Sequence, residues 1–285
     1  MYASPASYVA GLPRPDRCLV MGVVNVTPDS FSDGGVWFEP AAAIAHGLFL
    51  QGAGADLVDV GGESTRPGAE RPSVREELDR VLPVVSSLSR QGVVVSVDTM
   101  RAEVAVEAVR AGARAVNDVS GGSADAAMLA AVAGLDVPFI VMHWRGHSTT
   151  MQAKATYTEV VSDVRAELRV RVEAALAAGI RSEHIAVDPG LGFAKTGEHN
   201  WGLLAHLGSL LELGFPLIVG ASRKAFIGTL LAEDGQTRPV NARDHASAAI
   251  STLAAAGGAW CVRVHDVPSS LDAVKVASRW ARAAT

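Results

Sequence analysis

The stretch IAVDPGLGFAKT, residues 185–196, predicts a buried strand that ends in a functional loop. A short apolar run stops at the carboxylate of Asp188, and a proline and two glycines then interrupt regular structure. Phe193 and Lys195 follow on the same loop. A rigid strand therefore carries a negative charge to the edge of a sheet, with an aromatic ring and a cation beside it.

The same succession of apolar strand, polar residue, loop and helix recurs about eight times along the 285-residue chain. Alternating strands and helices in this number predict an α/β fold, a single-domain (β/α)8 TIM barrel over residues 18–285. An open doubly wound sheet is the alternative. Residues 1–17 contain three prolines and no periodic pattern, which indicates a loosely ordered N-terminal arm. The strands are predicted at residues 18–24, 56–60, 93–97, 113–116, 137–142, 185–188, 216–219 and 260–264.

Two of the predicted helices begin with a capping signal. Ser73 and Glu76 have the spacing of a capping box, and Thr156 and Glu159 have the same spacing. After the second pair, apolar residues follow at helical spacing and predict one buried helix face.

The composition indicates a closely packed protein and excludes several functional classes. The chain is 49% hydrophobic and its net charge is −5, which argues against a nucleic-acid partner or an anionic membrane surface. Cys18 and Cys261 lack metal-ligand spacing and are expected to be reduced thiols. The sequence shows no signal-peptide pattern, and its apolar stretches are shorter than the roughly 20 residues that span a bilayer. A cytoplasmic protein is therefore predicted.

Polar residues at the ends of several predicted strands are expected to converge. In a (β/α)8 barrel the loops after the strands lie on one face, where active sites are found. Side chains alternate along a strand, so Ser96 and Asp98 share a face, as do Ala115 and Asn117. Inward polar side chains are costly unless they meet a ligand or each other. The four residues that are predicted to meet are Asp59, Asp98, Asn117 and Asp188.

Taken singly, each of these residues has a plainer explanation. An aspartate after a strand is more often a turn former or a helix cap than a catalyst. His143 is either a core histidine that is satisfied by backbone groups or a site residue, and the sequence leaves both readings open.

A second set of strand-end residues is cationic. Lys224 follows the seventh strand, Arg263 and His265 belong to the eighth, and Arg66 lies on a glycine- and proline-containing loop. Barrels often hold phosphate at the loops after strands seven and eight, with the N-terminus of a helix. The alternative for Lys224 is simple ion pairing with Asp188. Together the two sets indicate a ligand with an N–H-bearing ring and a phosphate.

Seven motifs, in order and nearly over the whole chain, resemble the dihydropteroate synthases. The segment MHWRG, residues 142–146, resembles the actinobacterial branch of that family. The seven motifs are NVTPDSFSDGG (25–35), GGESTRPGA (61–69), SVDT (96–99), VNDVSGG (116–122), DPGLGFAKT (188–196), GASRK (220–224) and RVHD (263–266).

The resemblance implies a barrel-shaped transferase of folate biosynthesis. Members of the family join p-aminobenzoate to 6-hydroxymethyl-7,8-dihydropterin pyrophosphate and release 7,8-dihydropteroate and pyrophosphate. They use Mg2+, are usually homodimers and are the targets of sulfonamide drugs. Pyrophosphate is thought to leave first, in an SN1-like step, so that the arylamine attacks a pterin methylene cation.

The resemblance also implies roles for individual residues. The pterin ring would contact Asp98, Asn117, Met142, Asp188 and Lys224. The pyrophosphate would contact Asn25, Thr65, Arg66, Arg263 and His265. The p-aminobenzoate slot would consist of Phe31, Thr65, Arg66, Pro67, Phe193 and Ser222. Asn25 would bind Mg2+, with Asp33 either joining the metal or ordering its loop. The catalytic residues would be Asp98, Asp188, Lys224 and Arg263.

Two rival functions share the predicted ring pocket. A pterin-dependent methyltransferase would need no phosphate-binding cluster of Arg66, Arg263 and His265. A non-catalytic pterin-binding homologue would have lost loop or cation residues, and the sequence retains them at every motif position.

Overall fold

A computed structural model describes residues 8–27, 39–64 and 68–283. Within these residues, eight parallel strands form one sheet in the order β6-β5-β4-β3-β2-β1-β8-β7. A parallel bridge between Val187 and Leu217 joins β6 to the segment entering β7, so the sheet is closed. The predicted (β/α)8 barrel is confirmed, and the open sheet is excluded. The strands are β1 (Leu19–Asn25), β2 (Leu57–Gly61), β3 (Val95–Asp98), β4 (Ala115–Asp118), β5 (Phe139–Met142), β6 (Ile185–Asp188), β7 (Ile218–Val219) and β8 (Cys261–Val264).

Helices follow the strands and cover the outside of the barrel. Three short 3-10 helices, at Met151–Lys154, Ser182–His184 and Val240–Ala242, lie in the connections. The α-helices are α1 (Pro40–Gly52), α2 (Val74–Arg90), α3 (Ala102–Arg110), α4 (Met128–Leu135), α5 (Val160–Ala177), α6 (Gly197–Ala205), α7 (Leu207–Leu211), α8 (Ala225–Leu230), α9 (Asp244–Ala256) and α10 (Val267–Ala283).

One of the two predicted helix caps is confirmed. The N–H of Glu76 donates to Ser73 Oγ at 3.2 Å, and the N–H of Ser73 donates to Glu76 Oε2 at 2.7 Å, so a full capping box opens α2. The cap predicted at Thr156 and Glu159 is wrong. Asp163, one turn into α5, accepts from the N–H groups of Thr158 and Glu159 instead, at 2.9 and 3.3 Å.

The barrel interior changes from apolar to charged along its axis. Met21, Leu57, Ala115, Ile140 and Ala186 belong to one buried cluster, on the inward faces of five strands. Because side chains alternate, the next inward residue of each strand lies one layer nearer the carboxyl ends. Polar side chains occupy several of these positions, so the apolar layer supports a polar one. The next inward residues are Val23, Asp59, Asn117, Met142 and Asp188.

The described part of the N-terminal arm packs under this apolar layer. Val9 and Leu12 are 1% and 9% exposed and join the same inner cluster. The N–H of Ala10 donates to the carbonyl of Glu183 at 2.8 Å, and Arg17 pairs with Asp56 at 2.7 Å. Residues 8–17 are therefore joined to the barrel by apolar packing, a backbone hydrogen bond and an ion pair. In the described ranges, every helix is too short or too polar to cross a membrane.

Candidate active site

Asp59, Asp98, Asn117 and Arg263 form one hydrogen-bonded network, in which Asp59 and Asn117 are buried and Asp98 and Arg263 are partly exposed. Arg263 donates from Nε to Asp59 Oδ2 at 2.7 Å and from Nη2 to Asp98 Oδ2 at 2.8 Å. Asn117 Nδ2 donates to the same oxygen of Asp59 at 2.9 Å. A guanidinium has five N–H donors, so three donors of Arg263 remain for a ligand.

The electrostatics of this network are set by one cation that serves two carboxylates. Burial raises the pKa of Asp98 above its usual value, Arg263 opposes that rise, and the nearby Asp59 adds to it. Burial alone would lower the pKa of Arg263, but Asp59 and Asp98 outweigh it and raise that pKa. Arg263 therefore stays charged at any working pH.

Asp188 and Lys224 form the second charged group of the site. The N–H of Gly190 donates to Asp188 Oδ1 at 2.7 Å, and Asp188 is 8% exposed. The Lys224 ammonium donates to the carbonyl of Leu191, so its hydrogen bond goes to the loop rather than to Asp188. Simple ion pairing therefore does not describe Lys224.

Burial shifts both of these groups toward their neutral forms. It raises the pKa of Asp188 against the attraction of Lys224. It also lowers the pKa of Lys224 to about 8, although Asp188 acts in the opposite direction. Two weakly solvated groups of opposite charge are thus available to a ligand that can bond to both.

Gly220, just after β7, lies where the two charged groups meet. A Cβ placed on Gly220 would lie 3.7 Å from Asp188 Oδ2, 3.8 Å from Arg263 Cβ and 3.9 Å from Lys224 Nζ. The acidic and basic side chains predicted from separate strands therefore surround one point at the carboxyl end of the barrel.

Apolar and hydroxyl groups complete the described walls. Met142 is 4% exposed and clusters with Met100 and Val119, against which Phe193 packs. Ser222 Oγ accepts from the N–H of His265 at 3.2 Å and lies 3.1 Å from His265 Nδ1.

These walls enclose a cavity of about 880 Å³. Asn25, Phe193, Ser222, Lys224, Arg263 and His265 are among its lining residues. Asp98 accepts a hydrogen bond from the lining residue Arg263, and Asn117 is linked to Arg263 through Asp59. Asp188 lies on the side of Gly220 that Lys224 also approaches. Five predicted site residues fall outside the described residues, as do all of residues 28–38. The five are Phe31, Asp33, Thr65, Arg66 and Pro67.

Sequence reasoning missed the depth of Asp59 and the partners of His143. Asp59 was expected at the mouth but is fully buried, one layer below Asp98. His143 is bound by side chains: its Nε2 lies 3.0 Å from Glu167 Oε2, and Lys195 Nζ lies 2.9 Å from its Nδ1. The DPGLGFAKT motif singled out Lys195, but nothing in the sequence connected it to His143 or Glu167.

Fold and site together define a class: a (β/α)8 barrel enzyme whose cavity suits a flat nitrogen heterocycle and a phosphate group. The model of the pterin-binding enzyme family matches residues 21–265. The dihydropteroate synthase of Mycobacterium leprae is 54% identical over 266 residues, which cover 93% of this chain and 94% of that protein. That similarity agrees with the actinobacterial resemblance of residues 142–146.

Solved structures give the same result. The dihydropteroate synthase of Yersinia pestis, in complex with a sulfonamide drug, superimposes with a TM-score of 0.91 at 40% identity, over 97% of this chain and 99% of that one. The dihydropteroate synthase of Xanthomonas albilineans, with 4-aminobenzoic acid, gives 0.87 at 46% identity, over 99% of both chains. The chain therefore belongs to the pterin-binding enzyme family, in its dihydropteroate synthase branch, whose members are transferases of folate biosynthesis.

Proposed function

We propose that this chain joins p-aminobenzoate to 6-hydroxymethyl-7,8-dihydropterin pyrophosphate, releasing 7,8-dihydropteroate and pyrophosphate. The observation that carries the proposal is the meeting of Asp98 and Asp188 with Arg263 and Lys224 at one cavity. The acidic pair suits a ring that presents N–H groups, and the basic pair suits a ring carbonyl and a departing diphosphate.

The pterin ring binds at the polar layer of the barrel. Asp188 Oδ2 has no hydrogen-bond partner in the described ranges, and a carboxylate can accept from an N–H and an NH2 side by side. Asn117 supplies an amide to the ring edge, and Lys224 donates to the ring carbonyl. Met142 lies against the ring face and is itself buried.

The reaction separates charge, and the site is arranged for that separation. The bond between the pterin methylene and the bridging oxygen breaks, and its electron pair leaves with pyrophosphate. Asp98 and Asp188 stabilise the resulting cation, while the three remaining donors of Arg263, with His265, hold the leaving group. The amine nitrogen then forms the new C–N bond and loses one proton. An arylamine that attacks a cation needs no strong general base.

Mg2+ fits this site as a metal shared with the substrate. The residues at 8–27, 39–64 and 68–283 contain no group of three His, Cys, Asp or Glu side chains placed to hold an ion. Mg2+ commonly takes one or two protein ligands and completes its octahedron with phosphate oxygens and water. Asn25 lines the cavity and offers one amide oxygen for that purpose. When bound, the ion would neutralise negative charge on the leaving pyrophosphate.

The p-aminobenzoate slot lies beside the pterin. Phe193 and Ser222 are its described members, and both line the cavity. The Lys224 ammonium lies 5.0 Å from the centre of the Phe193 ring, so this slot adjoins the pterin pocket directly. The other predicted members of the slot, Phe31, Thr65, Arg66 and Pro67, lie outside the described residues.

Replacing Arg263 should affect the two substrates unequally. We expect Arg263→Ala to raise KM for the dihydropterin pyrophosphate about 10- to 150-fold, since a charged hydrogen-bonding partner contributes roughly 1.5–3 kcal/mol. KM for p-aminobenzoate should change less than about threefold. Steady-state kinetics with each substrate varied in turn measure both values.

Arg263→Ala also leaves Asp59 and Asp98 without their cation, which costs roughly 3–5 kcal/mol for a buried pair. Arg263→Lys is therefore measured beside it, because lysine keeps the charge but not the planar fork. Equal effects on both substrates, in variants that remain folded, contradict the pyrophosphate assignment.

A plot of kcat/KM against pH should fall at both high and low pH. Burial lowers the pKa of Lys224 to about 8, so the ammonium is present below that pH and is lost above it. kcat/KM for the dihydropterin pyrophosphate should therefore fall as pH rises through about 8. Burial raises the pKa of both Asp98 and Asp188, so kcat/KM should also fall on acidification as these carboxylates are protonated, at a pH above the usual carboxylate range.

Two variants identify the residue whose titration causes the fall of kcat/KM at high pH, called here the alkaline limb. Lys224→Arg should move it to higher pH, because a guanidinium stays protonated. Lys195, whose pKa burial lowers to about 7, also titrates nearby, so Lys195→Met should keep the limb if Lys224 causes it. An unmoved limb in Lys224→Arg contradicts the assignment.

The direct test combines the protein with Mg2+, p-aminobenzoate and the dihydropterin pyrophosphate. The expected result is pyrophosphate release that depends on the amine and is blocked by a sulfonamide. Tight pterin binding without release would instead identify the non-catalytic homologue. Transfer of a methyl group, with no phosphate requirement, would identify the methyltransferase.

Family membership supports three further parts of the proposal. Residues 18–285 form the pterin-binding barrel, the protein acts in the cytoplasm as a homodimer, and sulfonamides occupy the p-aminobenzoate slot. Light scattering at micromolar concentration tests the dimer. Competition between a sulfonamide and p-aminobenzoate in equilibrium titrations tests the shared slot.

A further inference from the structure

Lys195 is a buried lysine that the reaction above does not use. It is 4% exposed and lies at the end of the loop that follows β6. Its Nζ donates to the carbonyl of Phe193 at 3.0 Å and lies 2.9 Å from His143 Nδ1. A buried ammonium is costly unless it has partners, so these two contacts account for its presence in the interior.

His143 connects Lys195 to a carboxylate on α5. Burial lowers the pKa of His143 to about 4, so its imidazole is neutral near pH 7. Since Nδ1 accepts from Lys195, Nε2 carries the hydrogen and donates to Glu167 Oε2 at 3.0 Å. The hydrogen bond from His143 lowers the pKa of Glu167 to about 2, and Arg145 pairs with the same carboxylate. The result is a chain of partners that fixes the position of the Lys195 ammonium.

The loop held by this chain carries Phe193. Its other backbone groups are also fixed by side chains: the Tyr157 hydroxyl donates to the carbonyl of Ala194 at 3.0 Å, and the N–H of Gly192 donates to Asn200 Oδ1 at 2.7 Å. Ala194 has a φ of +48°, a conformation that residues other than glycine adopt rarely. A loop in such a conformation needs external contacts to keep it.

The backbone N–H and the backbone carbonyl of Phe193 are both hydrogen-bonded. Its N–H donates to the carbonyl of Gly190 at 3.1 Å, and its carbonyl accepts from Lys195. Its ring packs against the cluster of Met142 and lies 5.0 Å from the Lys224 ammonium. Loss of the Lys195 contact would release the carbonyl and allow the ring to leave this wall of the cavity.

We propose that Lys195, supported by His143 and Glu167, is a positioning residue for the amine substrate, because it fixes the Phe193 wall of the p-aminobenzoate slot. The proposal rests on the function proposed above. The hydrogen bonds matter more than the charge, since a neutral amine keeps two N–H donors and can still bond to both partners.

Lys195→Met tests the proposal, because methionine keeps the length of the side chain and removes the donors. We expect KM for p-aminobenzoate to rise about tenfold, corresponding to the loss of roughly 1.4 kcal/mol. KM for the dihydropterin pyrophosphate and kcat should change less than about threefold. Lys275→Met, at an exposed lysine of α10, is the matched control and should leave all three values unchanged.

His143 variants separate positioning from general loss of packing. His143→Leu should reproduce the effect of Lys195→Met, and the double variant should be no worse than either single one, because both break the same chain. His143→Gln should restore KM for p-aminobenzoate to within about threefold of wild type, since glutamine can accept from Lys195 and donate to Glu167.

Unchanged KM for p-aminobenzoate in Lys195→Met overturns the proposal, and so does an equal rise in KM for both substrates. If Lys195→Met does not fold, Glu167→Gln carries the test at a carboxylate that is 41% exposed. A two- to fivefold rise in KM for p-aminobenzoate alone is then expected, and no rise overturns the proposal. Wild-type protein that releases no pyrophosphate refutes the proposed function instead, so the two failures are distinguishable.

Discussion

Asp98→Asn should lower kcat by about 10²- to 10³-fold while the barrel stays folded. Removal of one electrostatic stabiliser from a preorganised site typically costs that much, because its interaction grows as charge develops in the transition state. Asparagine has nearly the same shape as aspartate but cannot offset the positive charge of the pterin methylene cation. The barrel should tolerate the change because Arg263 keeps Asp59 as a partner at 2.7 Å.

Pyrophosphate release under saturating substrates measures this effect, with circular dichroism and Tm to confirm folding. Asp79→Asn is the matched control, since Asp79 is an exposed carboxylate of α2 that pairs with Arg75 at 2.9 Å. Its kcat should equal that of wild type. A folded Asp98→Asn enzyme that turns over at the wild-type rate would refute the cation-stabilising role.

Lys224→Ala should lower kcat/KM for the dihydropterin pyrophosphate by about 10²-fold or more. The variant loses a charge-assisted hydrogen bond to the ring, worth roughly 1.5–3 kcal/mol, and also the cation that opposes the raised pKa of Asp188. A protonated Asp188 can no longer accept two hydrogen bonds from the ring. Two contacts to the pterin are therefore weakened by one substitution.

The measurement is steady-state kinetics, together with equilibrium titration of the pterin substrate. Lys224→Arg keeps the charge and should retain more activity than the alanine variant. Wild-type affinity for the pterin substrate in Lys224→Ala would contradict the assignment of Lys224 to the ring pocket.

The sequence predicted the barrel because strand–loop–helix units recur about eight times, and it predicted the meeting of the polar residues because side chains alternate along each strand. The order of the residues places Ser96 and Asp98 on one face of β3, and Ala115 and Asn117 on one face of β4. The structure places these residues on paired inward positions. The face to which a side chain points depends only on its position along its own strand, so it can be derived from the order of the residues.

Contacts between distant elements could not be derived in the same way. The link from Glu167 on α5 to His143 and Lys195 depends on how a helix packs outside the barrel, which no local pattern encodes. The depth of Asp59 depends on the stagger between β2 and β3. The cap at Thr156 was predicted wrongly because Asp163 competes for the same N–H groups.

Because Asp59 and Asp98 share Arg263, few single substitutions are tolerated at the bottom of the active-site cavity. A substitution that removes the guanidinium leaves the carboxylates of Asp59 and Asp98 without their cation. Only simultaneous replacement of both carboxylates then restores neutrality. Single substitutions that survive selection, including those that confer resistance to an inhibitor, should therefore occur on the loops around the cavity. Asp59, Asp98 and Arg263 should change only together.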